Sequence, residues 1–99
     1  MEILITNSAF SDLEAIKDYY SEQGVPHVAH DIISSIFEHI QSLTDHPCIG
    51  RLVPEFDDET IREIIHPPYR IVYLLDVKVI QIIRIWRSER LLKLPKKEV

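Results

Sequence analysis

The spacing of hydrophobic residues along the chain predicts a strand, two helices and then three more strands. Residues 2–6 alternate weakly and are rich in β-branched side chains, which is typical of a strand. Apolar residues then recur three or four positions apart in two stretches, which are separated by Gly24 and Pro26. Beyond residue 60, β-branched runs alternate with short breaks, as strands joined by tight turns do.

The two helical stretches predict an antiparallel helix hairpin. Asn7 or Ser8 is a suitable N-cap for the first helix, which should end near Ser21. Pro26 should begin the second helix, because its missing N–H costs nothing in a first turn, and the pattern continues to about Thr44. The apolar stripes comprise Ala9, Leu13, Ile16 and Tyr20, then Ala29, Ile32 or Ile33, Ile36, Phe37, Ile40 and Leu43.

The later runs predict strands at 60–65, 69–75 and 79–87, after a short extended piece at 50–55. The breaks between these strands have hairpin length, so the strands should form an antiparallel meander. The sequence therefore predicts the α+β class in the order β-α-α-β-β-β. In this fold the N-terminal helix hairpin packs on one face of an antiparallel sheet, and residues 1–99 form a single domain.

Apolar residues on both sides of the central strands predict a sheet that is buried on both faces. The run 71–75 has apolar side chains on either side, and the helix hairpin can cover only one face. The second face should therefore be covered by the tail at 88–99, by a second copy or by a partner chain. The tail is polar and cationic with three leucines, and the pattern allows either a docked or a mobile tail.

Composition points to a cytoplasmic protein without a cofactor. Cys48 is the single cysteine, so no internal disulfide can form, and no run is long enough for a transmembrane helix. His27 and His30 have the spacing of a metal pair but lack a third ligand, and Cys48 beside His46 lacks a group to orient a base. No metal or cofactor is therefore expected.

Charge is distributed unevenly along the chain. The first 61 residues hold 12 of the 16 acidic residues but only 2 of the 11 cations, within a net charge of −5. This asymmetry indicates either an anionic partner for the second half or pairing between acidic helices and the cations of the sheet. The acidic total argues against unselective binding to nucleic acid.

Cationic and aromatic residues on the predicted sheet form the main candidate site. Arginines can bind phosphate oxygens through paired hydrogen bonds, and a tyrosine can stack on a base or transfer a proton. The arginines could instead pair with Glu55 or Glu63 across strands, and Trp86 could belong to the core. The candidates are Arg51, Arg62, Tyr69, Arg70, Tyr73, Arg84, Trp86, Arg87 and Arg90.

Short segments along the chain carry a further signal through their order and spacing. They comprise Ala9, Asp12, Leu13, Ile16, Tyr19 and Tyr20; Leu43, Pro47, Gly50, Arg51, Val53, Pro54 and Glu55; Arg62, Glu63 and Ile64 with Tyr69–Tyr73; and Ile83–Arg87 with Arg90. In this order the chain resembles, over nearly its whole length, the RelE/ParE superfamily of toxins from type II toxin–antitoxin systems. Members of that superfamily are also described as plasmid stabilisation proteins.

The resemblance implies a small cytoplasmic toxin that is encoded beside an antitoxin. The antitoxin wraps over the toxin and neutralises it, which would explain a sheet with two apolar faces. RelE-like members cut messenger RNA on the ribosome, whereas ParE-like members bind and poison DNA gyrase. The resemblance implies no membrane association, and it leaves a homodimer or a heterotetramer with the antitoxin as candidate assemblies.

Particular residues favour the ParE-like branch. Arg70 matches the arginine that contacts RNA in the cleaving members, but Glu63 stands where those members often have a lysine and would repel a phosphate. The pair Arg62-Glu63 is typical of ParE-like members. Arg87 replaces a histidine that is common there, while Arg90 matches a frequent arginine, and no tyrosine or histidine follows residue 73.

We therefore predict a ParE-like toxin that acts by binding gyrase, and we favour a binding protein over an enzyme. Glu55 and Glu63 join the cationic and aromatic candidates as residues for binding the target or the antitoxin. The alternative is a RelE-like, metal-independent endoribonuclease in which Arg70, Arg87 and Arg90 hold phosphate. A third hypothesis is a member that has lost its toxicity and only binds a partner.

Overall fold

The computed structural model describes residues 1–87 and confirms the predicted α+β fold class. Two helices pack against a mixed five-stranded sheet, whose strands have the spatial order β1-β5-β4-β3-β2; β1 precedes the helices in the chain, and the other four strands follow them. The elements are β1 (Glu2–Ile5), α1 (Asn7–Glu22), α2 (Pro26–Ser42), β2 (Arg51–Leu52), β3 (Ile61–His66), β4 (Tyr69–Leu75) and β5 (Val79–Arg87).

The sheet contains the predicted meander and one pairing that the hydrophobic pattern does not reveal. β3, β4 and β5 are antiparallel to one another, as predicted, and the extended piece at 50–55 contributes the two-residue strand β2, which is antiparallel to β3. β1, however, runs parallel to β5. The helix hairpin carries the chain from β1 at one edge of the sheet to β2 at the opposite edge. The meander then crosses the sheet back toward β1, so the last strand pairs with the first. Alternation identifies a strand but does not specify its neighbour.

The first helix begins from a different cap than the sequence suggested. Thr6, rather than Asn7 or Ser8, is the N-cap, and its Oγ1 accepts the N–H of Ala9 at 3.2 Å. Its hydroxyl also donates to the Ile82 carbonyl at 2.9 Å. Thr6 takes this position because its backbone is still extended at the end of β1, as an N-cap requires. One side chain therefore caps α1 and attaches it to β5.

The helix hairpin covers one sheet face with a continuous apolar core. Ile16 of α1 and Ile36 of α2 are buried against Ile71, Tyr73 and other residues of the central strands. Phe37, which the pattern assigned to the apolar face of α2, is 37 % exposed and lies outside this core. The core nevertheless draws on most of the predicted stripe positions of both helices.

The second sheet face is covered in part by the chain itself. Val72 of β4 points away from the helices, and it forms a buried cluster with Val53 from the segment after β2. Phe56 and Trp86 pack around this cluster. The sequence had offered only the tail, a second copy or a partner for this role. The tail at 88–99, with Arg90, lies outside the described residues.

We predict that Thr6→Ala destabilises the protein by about 1 kcal/mol, because it removes an N-cap. The loss of the hydrogen bond to Ile82 adds to this effect. Urea denaturation should show a lower midpoint with an unchanged slope. Thr44→Ala is the matched control, because its hydroxyl donates only to the Gln41 carbonyl at an exposed position. Equal midpoints for the two variants would contradict the proposed role of Thr6.

Candidate functional site

A carboxylate buried between two arginines dominates the second sheet face. Glu63 on β3 is 1 % exposed. One of its oxygens accepts the Arg70 Nε–H at 2.7 Å, and the other accepts the Arg51 Nε–H at 2.7 Å. Arg51 lies directly opposite Glu63 in the β2–β3 register, while Arg70 reaches it from β4. A buried carboxylate of this kind is tolerated only because both oxygens are paired with cations.

Arg70 is held on its other side by a second carboxylate. Its two terminal nitrogens donate to the Glu55 oxygens at 3.0 and 2.9 Å, in the paired geometry that suits a guanidinium. The hydrogen bonds to Glu55, and then those to Glu63, raise the pKa of Arg70 despite its burial. Arg70 is 6 % exposed, so its donors face carboxylates of the protein rather than solvent. The arrangement also fixes the segment that carries Glu55 over the sheet.

The neighbouring residue Arg62 points away from this network, as adjacent residues on a strand do. Its Nη1 donates to the Gly50 carbonyl at 3.0 Å, while its Nε is buried and has no hydrogen-bond partner within residues 1–87. Arg62 and Glu63 are adjacent in the sequence, but their side chains make contacts on opposite faces of the sheet. Arg62 holds the loop before β2, and Glu63 holds the ion-pair network.

Tyr73 holds the same loop from inside the core. Its hydroxyl accepts the Gly50 N–H at 2.9 Å and donates to the Pro47 carbonyl at 2.8 Å. Burial raises the pKa of this phenol, so it remains neutral. A Cβ on Gly50 would lie 2.6 Å from the Tyr73 hydroxyl and 2.8 Å from the Glu63 carbonyl, which explains the glycine there. The geometry gives Tyr73 a structural role.

A groove lies between α1 and the end of β5, where β1 no longer covers the sheet edge. The last β1–β5 pair is Ile5 with Ile82. Beyond it, the Asp12 carboxylate accepts the backbone N–H of Ile85 at 2.8 Å and two hydrogen bonds from Arg84 at 2.9 Å. The Asp12 side chain thus takes the place of a neighbouring strand at this part of the edge.

Aromatic rings and cations line this groove of about 530 Å³. The Arg84 guanidinium lies 4.2 Å from the centre of the Trp86 ring, and that of Arg87 lies 5.8 Å from the centre of the Tyr69 ring. Burial, and then the adjacent Tyr20 hydroxyl, raise the pKa of Tyr69 to about 12, although Arg87 opposes this shift. A phenol with so high a pKa is a poor general base near neutral pH.

The structure therefore divides the predicted site residues among separate regions. The ion-pair network contains Arg51, Glu55, Glu63 and Arg70, and the groove contains Tyr69, Arg84, Trp86 and Arg87. Arg62 and Tyr73 hold the loop before β2 from the helix side of the sheet. Of the residues proposed for RNA cleavage, Arg70 is buried, Arg87 borders the groove, and Arg90 lies outside the described residues.

Two structural features were not evident from the sequence. The charge pattern allowed acidic helix residues to pair with cations of the sheet, but it did not identify Asp12 and Arg84, which are 72 positions apart, as such a pair. His39 and His66 lie 27 positions apart and bring their Nε2 and Nδ1 atoms to 3.1 Å. By contrast, His27 and His30, which had metal-pair spacing, are exposed in α2. Within residues 1–87, no three potential metal ligands cluster.

The fold and these contacts define a small α+β protein of the RelE/ParE type. The chain matches the family model described as "ParE toxin of type II toxin-antitoxin system, parDE" over residues 3–92. It is also similar to a chain of the solved structure "Chromosomal ParDE TA system from P. aeruginosa", with 28 % sequence identity and a TM-score of 0.74. That similarity covers 88 % of this chain and 95 % of the other. Comparison with curated proteins gives no match.

Because the family model covers nearly the whole chain, the protein belongs to the ParE toxin family of type II toxin–antitoxin systems. The superfamily and the branch inferred from the sequence are thereby confirmed. None of the helices in the part of the chain that the structure describes is long and apolar enough to cross a membrane.

We predict that Glu63→Gln destabilises the fold by about 3 kcal/mol, because two arginines then share one neutral acceptor in a buried position. Arg51→Ala should cost less, about 1–2 kcal/mol, because Arg70 still pairs one oxygen of Glu63 and water can enter the space left by the Arg51 side chain, which is 60 % exposed. Thermal and urea denaturation of both variants would measure the difference. Similar losses for the two variants would show that the Glu63–Arg70 contact contributes little.

Proposed function

We propose that this protein is a toxin that binds and poisons DNA gyrase and that a cognate antitoxin neutralises it in the cytoplasm. Its membership of the ParE family supports the toxin class. The binding of Arg70 by two internal carboxylates supports the gyrase branch. In this account the protein acts by binding other proteins, and it needs no catalytic group or cofactor.

The hydrogen bonds of Arg70 to two carboxylates of the protein are the main support for the proposal. A ribonuclease of the RelE type would need that arginine to face a phosphate, and it would need a group able to take a proton from a ribose hydroxyl. Here Arg70 is 6 % exposed and bonded to Glu55 and Glu63, so a phosphate would have to displace carboxylates that are already well placed. The raised pKa of Tyr69 also makes that phenol unsuitable as a base.

An exposed apolar surface beside β2 supports a protein partner. Ile49 and Ile65 are 62 % and 39 % exposed, and both border the same groove as Arg51. We call these three residues the β2 surface. Apolar side chains around a single arginine suit a protein interface better than a phosphate backbone, which favours dense positive charge. We propose that gyrase contacts the β2 surface and that the antitoxin, by covering it, blocks this contact.

The central test mixes the purified protein with gyrase, ATP and supercoiled plasmid, then denatures the gyrase and digests it. We expect linear DNA to accumulate, because a gyrase poison traps the enzyme with cleaved DNA. The protein encoded beside this gene should suppress the effect when added first. Absence of linear DNA at every toxin concentration would contradict the gyrase proposal.

The ribonuclease alternative is tested with the same preparation on translating ribosomes. Primer extension should reveal no new cuts in the messenger RNA if gyrase is the target. New cuts that disappear in Arg87→Ala would instead favour the RelE-like reaction. Arg70→Ala is less informative here, because it breaks the buried network and could abolish activity by unfolding the protein.

We predict that Ile49→Asp lowers the yield of linear DNA several-fold, because it places a charge in the proposed apolar interface. Val77→Asp is the matched control, since Val77 is 85 % exposed in the turn between β4 and β5, away from the β2 surface. Both positions are exposed, so both variants should keep the thermal stability of the wild type. Equal activity of the two variants would exclude the β2 surface as the gyrase contact.

A further inference from the structure

The contact between His39 and His66 has no part in the proposed toxin activity. His39 lies near the end of α2, and His66 is the last residue of β3. Their nitrogens are 3.1 Å apart, their ring centres are 4.8 Å apart, and the ring planes are inclined by 55°. Both side chains are partly exposed, so the pair is open to solutes. Two imidazoles this close offer two nitrogen ligands at one point on the surface.

We propose that His39 and His66 form a two-histidine binding site for a divalent transition-metal ion such as Cu²⁺, Ni²⁺ or Zn²⁺. Imidazole nitrogen is a preferred ligand of all three ions. The site is assembled by the fold, because 27 residues separate the two histidines in the chain. It is distinct from the exposed pair His27 and His30 at the start of α2.

The spacing of the two nitrogens fits one shared ion. With metal–nitrogen bonds of about 2.0–2.1 Å, two ligands lie roughly 2.9 Å apart at a right angle and roughly 3.3 Å apart at the tetrahedral angle. The observed 3.1 Å lies between these values. Small side-chain rotations would therefore turn both lone pairs toward a common ion, without any movement of α2 relative to β3.

The protonation of the pair is also compatible with metal binding. In the neutral pair, one ring donates its N–H to the lone pair of the other ring. When the ion binds, the donating ring moves that proton to its second nitrogen, so both facing nitrogens become ligands and no net proton is released.

Within residues 1–87 no third histidine, cysteine or carboxylate joins the pair, so water would complete the coordination of the ion. His39 borders a groove of about 330 Å³ that also contains Ser42, Gly50 and Arg51. Glu63 borders the same groove, but its two oxygens are bonded to Arg51 and Arg70. An ion with two imidazole ligands and several waters should bind reversibly and should prefer Cu²⁺, which forms the strongest complexes in this series. Mg²⁺ and Ca²⁺ prefer oxygen ligands and should not bind.

A bound ion would strengthen the attachment of α2 to the sheet. It would connect the last turns of α2 to the end of β3, and it would bind the folded chain in preference to the unfolded one. Ion binding should therefore raise the midpoint of thermal unfolding. The chloride salts of the three transition metals are suitable probes, with magnesium chloride as the negative control.

The experiment titrates the untagged, full-length protein with each metal salt by calorimetry and follows thermal unfolding in parallel. We expect one ion per chain, the tightest binding for Cu²⁺, and a higher unfolding midpoint. His39→Ala and His66→Ala should each weaken binding at least about tenfold, because each removes half of the protein ligands. The double variant His27→Ala/His30→Ala, whose residues are exposed, should bind as the wild type does.

A second measurement does not depend on variants that could unfold. Substoichiometric Cu²⁺ should broaden the imidazole NMR signals of His39 and His66 before those of the other three histidines. Broadening confined to His27, His30 or His46 would overturn the proposal. So would an affinity that is unchanged in both His39→Ala and His66→Ala, or the absence of any heat and any shift in the unfolding midpoint.

Discussion

The carboxylate of Glu63, buried between Arg51 and Arg70, is the constraint on which the second half of the structure depends. A charge in this position is tolerated only while both of its oxygens are paired. Pairing Arg51 fixes the short strand β2 against β3. Pairing Arg70 creates a second requirement, because its remaining donors also need a partner, and Glu55 provides it. The segment that carries Glu55 is thereby drawn over the sheet, where Val53 and Phe56 bury Val72.

These ion pairs determine which part of the second sheet face is available to a partner. The second sheet face of a two-layer protein could have remained open for a ligand. Here the segment at 53–56 and its ion pairs occupy part of that face, and the arginine that a phosphate would need is used internally. What remains exposed beside β2 is Arg51 with apolar residues around it, among them Ile49 and Ile65. The same interaction that stabilises the fold thus favours a protein partner over an RNA partner.

Periodicity predicted the helices and strands because their residues repeat at spacings set by backbone geometry. The strand at Tyr69–Leu75 and the helix start at Pro26 follow directly from that pattern. The parallel placement of β1 did not follow, since alternation carries no information about neighbours. The cap at Thr6 was missed because its position depends on where β1 ends, and several polar residues there could have served equally well.

The candidate site was predictable as a set of residues but not as an arrangement. Arg70 and Glu63 were both identified, and the pairing between them was one of two alternatives. The other alternative was that Arg70 binds phosphate. The choice between the two depends on whether Arg70 and Glu63 are buried, and the segment at 53–56 contributes to that burial. Asp12 belongs to a segment that carries the family resemblance, but the sequence did not indicate its contacts with Arg84 and Ile85, which join residues more than 70 positions apart. Long-range polar contacts of this kind follow from the tertiary fold and leave no local pattern.

The state of the Arg70 side chain is the most direct test of this account. The Nε–H signal of Arg70 can be followed by NMR in the free protein and during titration with a single-stranded RNA oligonucleotide. The account predicts a signal that exchanges slowly with water and does not shift when RNA is added. Rapid exchange in the free protein, or a shift of the Arg70 signal on adding RNA, would show that the arginine is available to phosphate and would contradict the account.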